Sequence, residues 1–322
     1  MHSKKNIKIL DCTLRDGGFT NDFYWSNSFL TDYFKTVNSL PLEYVEVGYW
    51  KQKNKSRNQF YNINEKDLFS FKKKCKIKLA VITDFHYSTK NEKDFPKKKD
   101  GLLSLIRVTS RIEDLDDTVD FINRLKDYTK LNISLNIFNF SSNTEKNLEK
   151  ISRKLKKCNA DFFYFADTHG NLDFNYLPNH FAKFIDKINS FNKKIGFHFH
   201  DNIGTAYSNY IYCINNGFQY FDSTIFGIGR GGGNLRTEFL VDDKFKSKLV
   251  VFINKYKKSL EIPYNLYCLI TGINSVSNIY ANYAYKNRIN LSAFNKFCLN
   301  LNNKDKNNFN SKKIEKILWK II

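Results

Sequence analysis

The stretch Lys8–Gly18, with the sequence KILDCTLRDGG, indicates the fold class of this chain. A short apolar run of strand character ends in an acidic residue and continues directly into a polar turn that carries Arg15 and Asp16. A doubly wound sheet would instead place a GxGxxG loop after its first strand. A formal GxGxxG match begins at Gly227, but it follows the last predicted strand, and we interpret it as a coincidence within a glycine-rich loop.

Runs of the same strand character recur along the chain, and amphipathic segments of helical period lie between them. Ser26 is the expected N-cap of the first amphipathic segment. The runs are KILDC (8–12), YVEVG (44–48), KLAVIT (78–83), LSLIRV (103–108), ISLNIF (133–138), FFYFA (162–166), IGFHFH (195–200) and YFDST (220–224). Eight alternating strand and helix units in roughly 230 residues predict a (β/α)8 TIM barrel, an α/β fold whose active site lies at the C-terminal ends of the strands.

The pattern becomes helical after the last predicted strand. We therefore predict a barrel domain over residues 1–240 and a helical C-terminal extension over residues 241–322, whose last element is a Lys-rich helix that ends in ILWKII. The extension could cover the barrel mouth, form a homodimer interface or bind a partner protein, and the sequence does not choose among these roles.

The amino-acid composition indicates which class of protein this is and in which cellular compartment we expect it. The 322 residues are 42% hydrophobic and 26% charged, and no run approaches the roughly 18 apolar residues of a membrane span. The first residues, MHSKKNIKILDC, lack the apolar core of a secretory signal. The six cysteines are scattered without a CxxC pair, which is typical of reduced thiols. We expect a globular cytoplasmic protein with no membrane partner.

The formal net charge of +20 raises the question of nucleic-acid binding, because clustered basic residues neutralise phosphates. The lysines are spread along the whole chain in short runs such as 72–74, and no RNA-binding signature organises the 19 Tyr and 30 Phe. We interpret the charge as the compositional drift of an AT-rich genome and predict no nucleic-acid partner.

The segment IGFHFHDNIGTAYSN, residues 195–209, carries two histidines two positions apart. Residues i and i+2 of a strand share a face, so His198 and His200 can offer imidazole nitrogens to one metal ion. An HxH pair by itself is more often a coincidence than a ligand pair. A closed barrel, however, brings the strand ends to one rim, where Asp16 and the Asn234 that ends IFGIGRGGGN would join the histidines.

Three motifs together resemble a known family: D-x-TLRDGG at strand one, HxHDNxGxAxxN at strand seven and D-x-(T/S)-x-x-G-x-G-x-GxGN at strand eight. They resemble the metal-dependent barrel family of 3-hydroxy-3-methylglutaryl-CoA lyase and isopropylmalate synthase, which is also called pyruvate carboxyltransferase-like. TLRDGG followed by Phe19, Thr20 and Asn21 is most similar to the 4-hydroxy-2-oxovalerate aldolase branch. The resemblance implies an aldolase that cleaves or forms a 4-hydroxy-2-oxo acid from pyruvate, or a related 2-oxo acid, and an aldehyde through a metal-stabilised enolate.

The resemblance also implies roles for individual residues. Asp16, His198 and His200 would bind a divalent cation, with Mn²⁺ expected and Mg²⁺ or Co²⁺ as alternatives, and Asn234 would be a further ligand. Arg15 would lie beside the keto oxygen of the substrate and stabilise the enolate as it forms.

Other polar residues at the predicted rim extend this expected site. By analogy with the family, Glu46 would hold the guanidinium of Arg15. The expected substrate contacts are Arg107, Thr168, Gly229 and Gly231. Arg107 could instead be an ion-pair partner inside the barrel. No organic cofactor is expected.

Departures from the family pattern narrow the expected activity. Gly18 stands where the condensing synthases carry a Glu, the glycine-rich loop has no Cys of the CoA-lyase kind, and no biotin carrier motif is present. Aldolase chemistry remains, with a Claisen-type enzyme that condenses an acyl-CoA with a 2-oxo acid as the alternative. Channelled members of the family bind an aldehyde dehydrogenase, so such a partner is a further alternative to a homodimer.

One departure concerns proton transfer. Phe19 occupies the position at which the bacterial aldolases have an acid/base histidine. A general base must still take the C4 hydroxyl proton, and it must lie within ~3 Å of it or act through a water. His169, in the sequence DTHG after strand six, is the preferred substitute, although it could merely cap a turn. Tyr280 and Tyr283 are weaker alternatives.

Overall fold

In the computed structural model, eight parallel strands of the described residues close into a barrel in chain order. The structure describes residues 7–51, 60–176, 178–262, 266–307, 309–310 and 314. The strands are β1 (Lys8–Asp11), β2 (Leu42–Tyr49), β3 (Lys78–Asp84), β4 (Leu105–Ser110), β5 (Asn132–Ile137), β6 (Phe162–Asp167), β7 (Lys194–Phe199) and β8 (Tyr220–Ser223). The predicted TIM barrel is confirmed, and each predicted run overlaps its strand with ends that differ by two residues at most.

Helices alternate with the strands and continue after β8. Short 3-10 helices lie at Gly17–Thr20, Glu92–Asp94, Lys98–Asp100, Phe140–Ser142, Phe174–Tyr176 and Ile225–Gly227. The α-helices of the described residues are α1 (Thr13–Asp16), α2 (Asn27–Val37), α3 (Glu65–Lys74), α4 (Leu115–Thr129), α5 (Glu145–Leu155), α6 (Asn179–Asn189), α7 (Ala206–Asn215), α8 (Thr237–Leu240), α9 (Asp243–Leu260), α10 (Leu266–Ile273), α11 (Asn278–Lys286), α12 (Leu291–Leu299) and α13 (Asn303–Asn307). None of these helices is both long enough and apolar enough to cross a membrane.

Helix α2 shows how the local sequence sets an element. Its N-cap is Ser26, as predicted, because the Ser26 side chain accepts a hydrogen bond from the Phe29 backbone N–H at 3.2 Å. The apolar residues of α2 repeat at helical spacing and are buried against the barrel. Burial of one such side chain contributes about 1.5–3 kcal/mol.

A β-bulge in β2 aims a tyrosine toward the barrel mouth. Glu46 pairs with Ala80 and Tyr49 pairs with Ile82, so β2 contains one more residue than β3 over this interval. The additional residue brings Tyr49 to the side of the sheet that Glu46 faces. Gly48 permits the bulge, because its φ is +151° and a Cβ there would lie 2.2 Å from the Phe60 carbonyl oxygen.

The packing after β8 bears on the domain boundary. Helix α9 lies on α2, where the Phe252 and Phe29 rings are 5.3 Å apart, and its apolar residues belong to the barrel core. Helices α10, α11 and α12 bury a separate apolar cluster around Tyr280 and Phe294. We therefore propose that the C-terminal unit begins after α9, later than the predicted residue 240. The segment ILWKII, with which the predicted Lys-rich helix ends, lies outside the described residues.

Candidate active site

The proposed metal ligands meet at the C-terminal end of the barrel. Asp16 is the last residue of α1, which follows β1 directly, while His198 lies in β7 and His200 immediately follows it. The Nε2 atoms of His198 and His200 each lie 3.8 Å from Oδ2 of Asp16, and all three side chains are buried. Their potential ligand atoms lie within 4.8 Å of one another. The structure thus brings Asp16 beside two histidines that lie far from it in the sequence.

The far side of each imidazole ring is held by an acceptor. Nδ1 of His198 donates to the Asp222 carboxylate at 3.0 Å, and Nδ1 of His200 donates to the Asp167 carbonyl oxygen at 2.8 Å. A carbonyl can only accept, so the proton of neutral His200 is on Nδ1 and its Nε2 lone pair points into the site. Burial, reinforced by the neighbouring His198, lowers the pKa of His200 to about 3, which keeps the ring neutral.

The loop after β8 brings Asn234 beside these ligands. Asn234 forms an antiparallel bridge with His200, and its Nδ2 donates to Oδ2 of Asp16. Its Oδ1 is buried and has no hydrogen-bond partner among the described residues. Gly229 of the same loop lies directly against the group, since a Cβ there would be 2.6 Å from Asp16 Oδ2 and 2.3 Å from Asn234 Nδ2. Any larger residue would displace a ligand.

A chain of buried charges supports the site from inside the barrel. Arg15 donates through Nε to Glu46 and through Nη1 to Oδ1 of Asp16 at 2.5 Å. Glu46 also accepts from Nη1 of Arg107 at 2.8 Å, and Nη2 of Arg107 donates to Asp222 at 2.6 Å. The charges therefore alternate in sign from Arg15 to Asp222, which holds His198. Arg107 is fully buried within this row of charges. Its position agrees with the alternative expectation that Arg107 is an ion-pair partner inside the barrel.

The electrostatics keep Asp16 ionised. Burial raises its pKa, but the positive charge of the Arg15 guanidinium lowers it by more, so the net pKa lies well below the usual aspartate value. Arg230 at the mouth adds to this lowering. An ionised carboxylate beside the neutral imidazole of His200 is the protonation state that a metal site requires.

Asp11 fixes the turn that carries Asp16. It accepts hydrogen bonds from the Thr13 backbone and side chain at 3.1 and 3.0 Å and from the Tyr33 hydroxyl at 2.5 Å. Burial raises the pKa of Asp11 to about 6 despite these hydrogen bonds. Asp11 therefore acts as a structural residue of the β1–α1 connection.

The donor set fits a divalent cation. Two imidazole nitrogens and one carboxylate oxygen face one point, and the Nε2 of His200 is buried with no hydrogen-bond partner in the described part of the chain. Mixed N/O sites of this kind suit Mn²⁺, Co²⁺, Fe²⁺ or Zn²⁺. Cys12 also lies near His198 and Asp222, but burial raises the pKa of its thiol well above the ordinary value, so it is a poor ligand there.

The other predicted residues lie on the adjoining loops. The Thr168 hydroxyl accepts from the Asn139 backbone N–H at 2.8 Å. His169 is buried, and its Nε2 is 2.9 Å from Oδ1 of Asn307 in α13. Gly231 packs on the amide groups of Asn202 and Asn278. These residues connect the barrel rim to the C-terminal helices rather than contacting Asp16.

An aromatic wall borders the mouth on the β1 and β2 side. The rings of Phe19 and Tyr49 lie 6.0 Å apart, and the Arg230 guanidinium carbon lies 3.5 Å from the centroid of the Phe19 ring. Burial raises the pKa of Tyr49 to about 12, so its hydroxyl stays protonated at neutral pH.

Sequence reasoning assigned no role to Asp222 or Arg230. Asp222 stands in the strand-eight motif, and a search for an acceptor behind His198 could have found it. Arg230 lies in the GIGRGGG loop, where the sequence gives no signal of its position over an aromatic ring.

Comparison with known proteins identifies relatives over most of the chain. A family model described as HMGL-like matches residues 6–244. The chain is 24% identical over 263 residues to the 4-hydroxy-2-oxovalerate aldolase of Geobacillus thermodenitrificans, covering 80% of this chain and 75% of the relative. It is 26% identical over 255 residues to the (R)-citramalate synthase of Sulfolobus acidocaldarius, covering 71% of this chain and 46% of that protein.

Solved structures share the fold. The N-terminal domain of an aldolase candidate from Bacteroides vulgatus superposes with a TM-score of 0.72 at 24% sequence identity. The alignment covers 87% of this chain and 97% of that domain. At this identity the similarity supports the barrel architecture alone.

Proposed function

The chain belongs to the HMGL-like family and is an enzyme of the oxo-acid lyase type, and we propose that it is a divalent-metal-dependent aldolase. In this proposal the enzyme cleaves a 4-hydroxy-2-oxo acid to pyruvate, or a related 2-oxo acid, and an aldehyde, or forms the same acid by aldol addition. The observation that carries the proposal is the buried group of Asp16, His198 and His200 beside the Arg15 guanidinium. We also propose that it acts in the cytoplasm, and a homodimer or an aldehyde dehydrogenase partner stays a prediction.

Four residues would hold the cation. Asp16, His198 and His200 would each supply one ligand atom, and Asn234 would supply Oδ1, which has no other partner among the described residues. A bound divalent cation would polarise the 2-keto group of the substrate as a Lewis acid. The identity of the metal, with Mn²⁺ expected, belongs to the proposal.

Arg15 would stabilise the negative charge that develops on the keto oxygen. Its Nε and Nη1 are engaged by Glu46 and Asp16, and Nη2 has no hydrogen-bond partner among the described residues. Glu46 is itself held by Arg107, so the guanidinium is fixed before substrate binds. A preorganised donor of this kind contributes about 3–4 kcal/mol to transition-state stabilisation.

Proton transfer to and from the C4 oxygen needs a separate group, and we propose His169 for this role. When the C4 hydroxyl loses its proton, the C3–C4 bond breaks, and the bonding pair forms the enolate of the 2-oxo acid and releases the aldehyde. Burial lowers the pKa of His169, so the ring is neutral and can accept a proton. Its Nε2, which donates to Oδ1 of Asn307, would have to exchange that partner for the substrate, with the ring proton on Nδ1 instead.

Variants at these two positions test this role. H169Q should lower kcat about 100-fold or more. N307A removes only the present partner of Nε2 and should leave kcat near the wild-type value. Equal losses in both variants would mean that His169 only ties the rim to α13.

A Claisen-type condensing enzyme is the second candidate, because the chain is also similar to a citramalate synthase. Gly18 and the cysteine-free glycine-rich loop distinguish the chain from the synthase and CoA-lyase patterns respectively. Release of free thiol from acetyl-CoA in the presence of a 2-oxo acid would support this candidate over the aldolase.

The aldolase proposal is tested by metal-dependent pyruvate release. The purified protein is incubated with Mn²⁺ and a series of 4-hydroxy-2-oxo acids, with lactate dehydrogenase reporting pyruvate. D16N should abolish the signal, whereas D116N, which removes a carboxylate from the outer face of α4, should not. Pyruvate release that is absent, or that persists without metal and in D16N, would refute the proposal.

A further inference from the structure

A cavity of about 510 Å³ borders the proposed metal group on the side of the β8 loop. Gly229 lines the cavity, and the position its Cβ would take is 2.6 Å from Asp16 Oδ2, so the cavity and the proposed metal group adjoin at this glycine. Its size is within the range of small-molecule pockets, about 300–1,000 Å³. A substrate with its 2-oxo acid end at Asp16 could extend its other end into this space.

The cationic groups of this cavity are available to a ligand. Arg230, Lys258 and Lys286 line it and are exposed, and within the described residues none of the three forms an ion pair. Asp22 and Glu261 also line the cavity and reduce its net charge. The lining therefore retains one more positive than negative side chain, and its arginine is adjacent in sequence to Gly229.

Arg230 is held in a defined place despite its exposure. Its guanidinium carbon lies 3.5 Å from the centroid of the Phe19 ring, a cation–π contact that fixes the group at the cavity wall. Its charge acts on Asp16 and His200 inside the barrel as well as on Tyr49 at the wall. The guanidinium thus lies between the proposed metal group and the open cavity, and its N–H groups form no hydrogen bond with the described residues.

We propose that Arg230, supported by Phe19, binds an anionic group on the aldehyde-derived half of the substrate, so the enzyme selects aldehydes that carry a terminal carboxylate or phosphate. The inference rests on the proposed aldolase function for its substrate, but the anion subsite itself does not depend on turnover. A planar guanidinium suits both anions because its paired N–H groups match two oxygens. Lys258 and Lys286 add positive charge at the outer end of the cavity.

Steady-state kinetics of aldol addition with Mn²⁺ and pyruvate test the substrate class. Two matched pairs of aldehydes separate the anions: glyceraldehyde 3-phosphate with glyceraldehyde, and succinic semialdehyde with butanal. The wild type should show a lower KM for the charged member of at least one pair. R230Q should raise that KM roughly tenfold to a hundredfold, with R230K between the two, and should raise the KM of the neutral member by a much smaller factor.

A matched control addresses the high overall charge of the chain. R153Q removes the same charge from an exposed position in the last turn of α5, away from the cavity, and should leave every KM unchanged. If R153Q and R230Q had equal effects, the preference would come from the general positive field and the subsite would be refuted.

Calorimetric binding of inorganic phosphate and of succinate to the metal-free protein separates this inference from the aldolase proposal. Binding that weakens roughly tenfold or more in R230Q but not in R153Q supports the subsite even when no aldehyde is turned over, in which case the aldolase proposal alone fails. Turnover without preference for charged aldehydes, together with anion binding that R230Q leaves unchanged, overturns the subsite and leaves the aldolase proposal intact.

Discussion

Replacement of Asp222 by Asn tests whether the carboxylate behind His198 sets the metal affinity. Oδ2 of Asp222 accepts from His198 Nδ1 at 3.0 Å and from Arg107 Nη2 at 2.6 Å. Asparagine keeps the shape and one acceptor oxygen but removes the negative charge that orients the imidazole and increases its basicity. Loss of such a partner typically lowers metal affinity about 10- to 100-fold, which corresponds to about 1.4–2.8 kcal/mol.

The same substitution also affects stability, and the two effects can be separated. Removing one partner of a buried ion pair costs about 3–5 kcal/mol, which we expect for D222A because Glu46 would be the one ion-pair partner left to Arg107 among the described residues. D222N should lose less because the amide oxygen can still accept from Arg107. Thermal unfolding of both variants without metal measures this cost.

Titration of Mn²⁺ into the folded variants, followed by the electron paramagnetic resonance of the free ion, measures the affinity. D116N is the matched control, because Asp116, on the outer face of α4, forms its ion pairs with Lys150 and Lys154 of α5, far from the proposed ligands in the barrel. An unchanged Mn²⁺ affinity in folded D222N, with binding lost in D16N, would refute the reasoning and reduce Asp222 to a partner of Arg107.

Three further predictions follow from individual contacts. G229A should weaken Mn²⁺ binding, measured by calorimetry, about tenfold or more, because the new Cβ would meet Asp16 and Asn234. G101A is the control and should leave the Mn²⁺ affinity unchanged, because a Cβ at Gly101 would have nothing within 4 Å. The raised pKa of Asp11 contributes stability that is present below about pH 4 and is lost as the pH rises through about 6. In urea unfolding, the wild type should therefore gain stability relative to D11N as the pH falls from about 6 to about 4. A stability difference between the two proteins that does not vary with pH would contradict this prediction. N278A should lower the unfolding temperature of the C-terminal helices without changing the Mn²⁺ affinity, because Asn278 contacts Asn202 and the Thr168 carbonyl rather than a proposed ligand. Loss of Mn²⁺ binding in N278A would contradict this prediction.

The sequence predicted the elements whose signal is local. A strand that is buried on both faces needs a continuous apolar run, and such a run is visible in the sequence. Each of the predicted runs is confirmed as a strand. The predicted approach of Asp16 to the two histidines follows from closure of the barrel, which brings the ends of β1 and β7 to one rim.

What the sequence missed depends on contacts between distant elements. Asp222 supports His198 only because β8 lies beside β7 in the closed sheet, and the position of Arg107 between two carboxylates depends on three strands at once. Tyr49 faces the mouth because of a one-residue bulge that periodicity does not show. His169 pairs with Asn307, 138 positions later in the chain, a contact that no local pattern could indicate.

Diffraction from crystals grown with Mn²⁺, collected at the manganese absorption edge, tests the central claim most directly. The account predicts one strong anomalous peak between Nε2 of His198, Nε2 of His200 and the Asp16 carboxylate, close to Oδ1 of Asn234, and its loss in H198Q crystals. The absence of a peak at that point in the wild type, or an equal peak that persists in H198Q, would contradict the account.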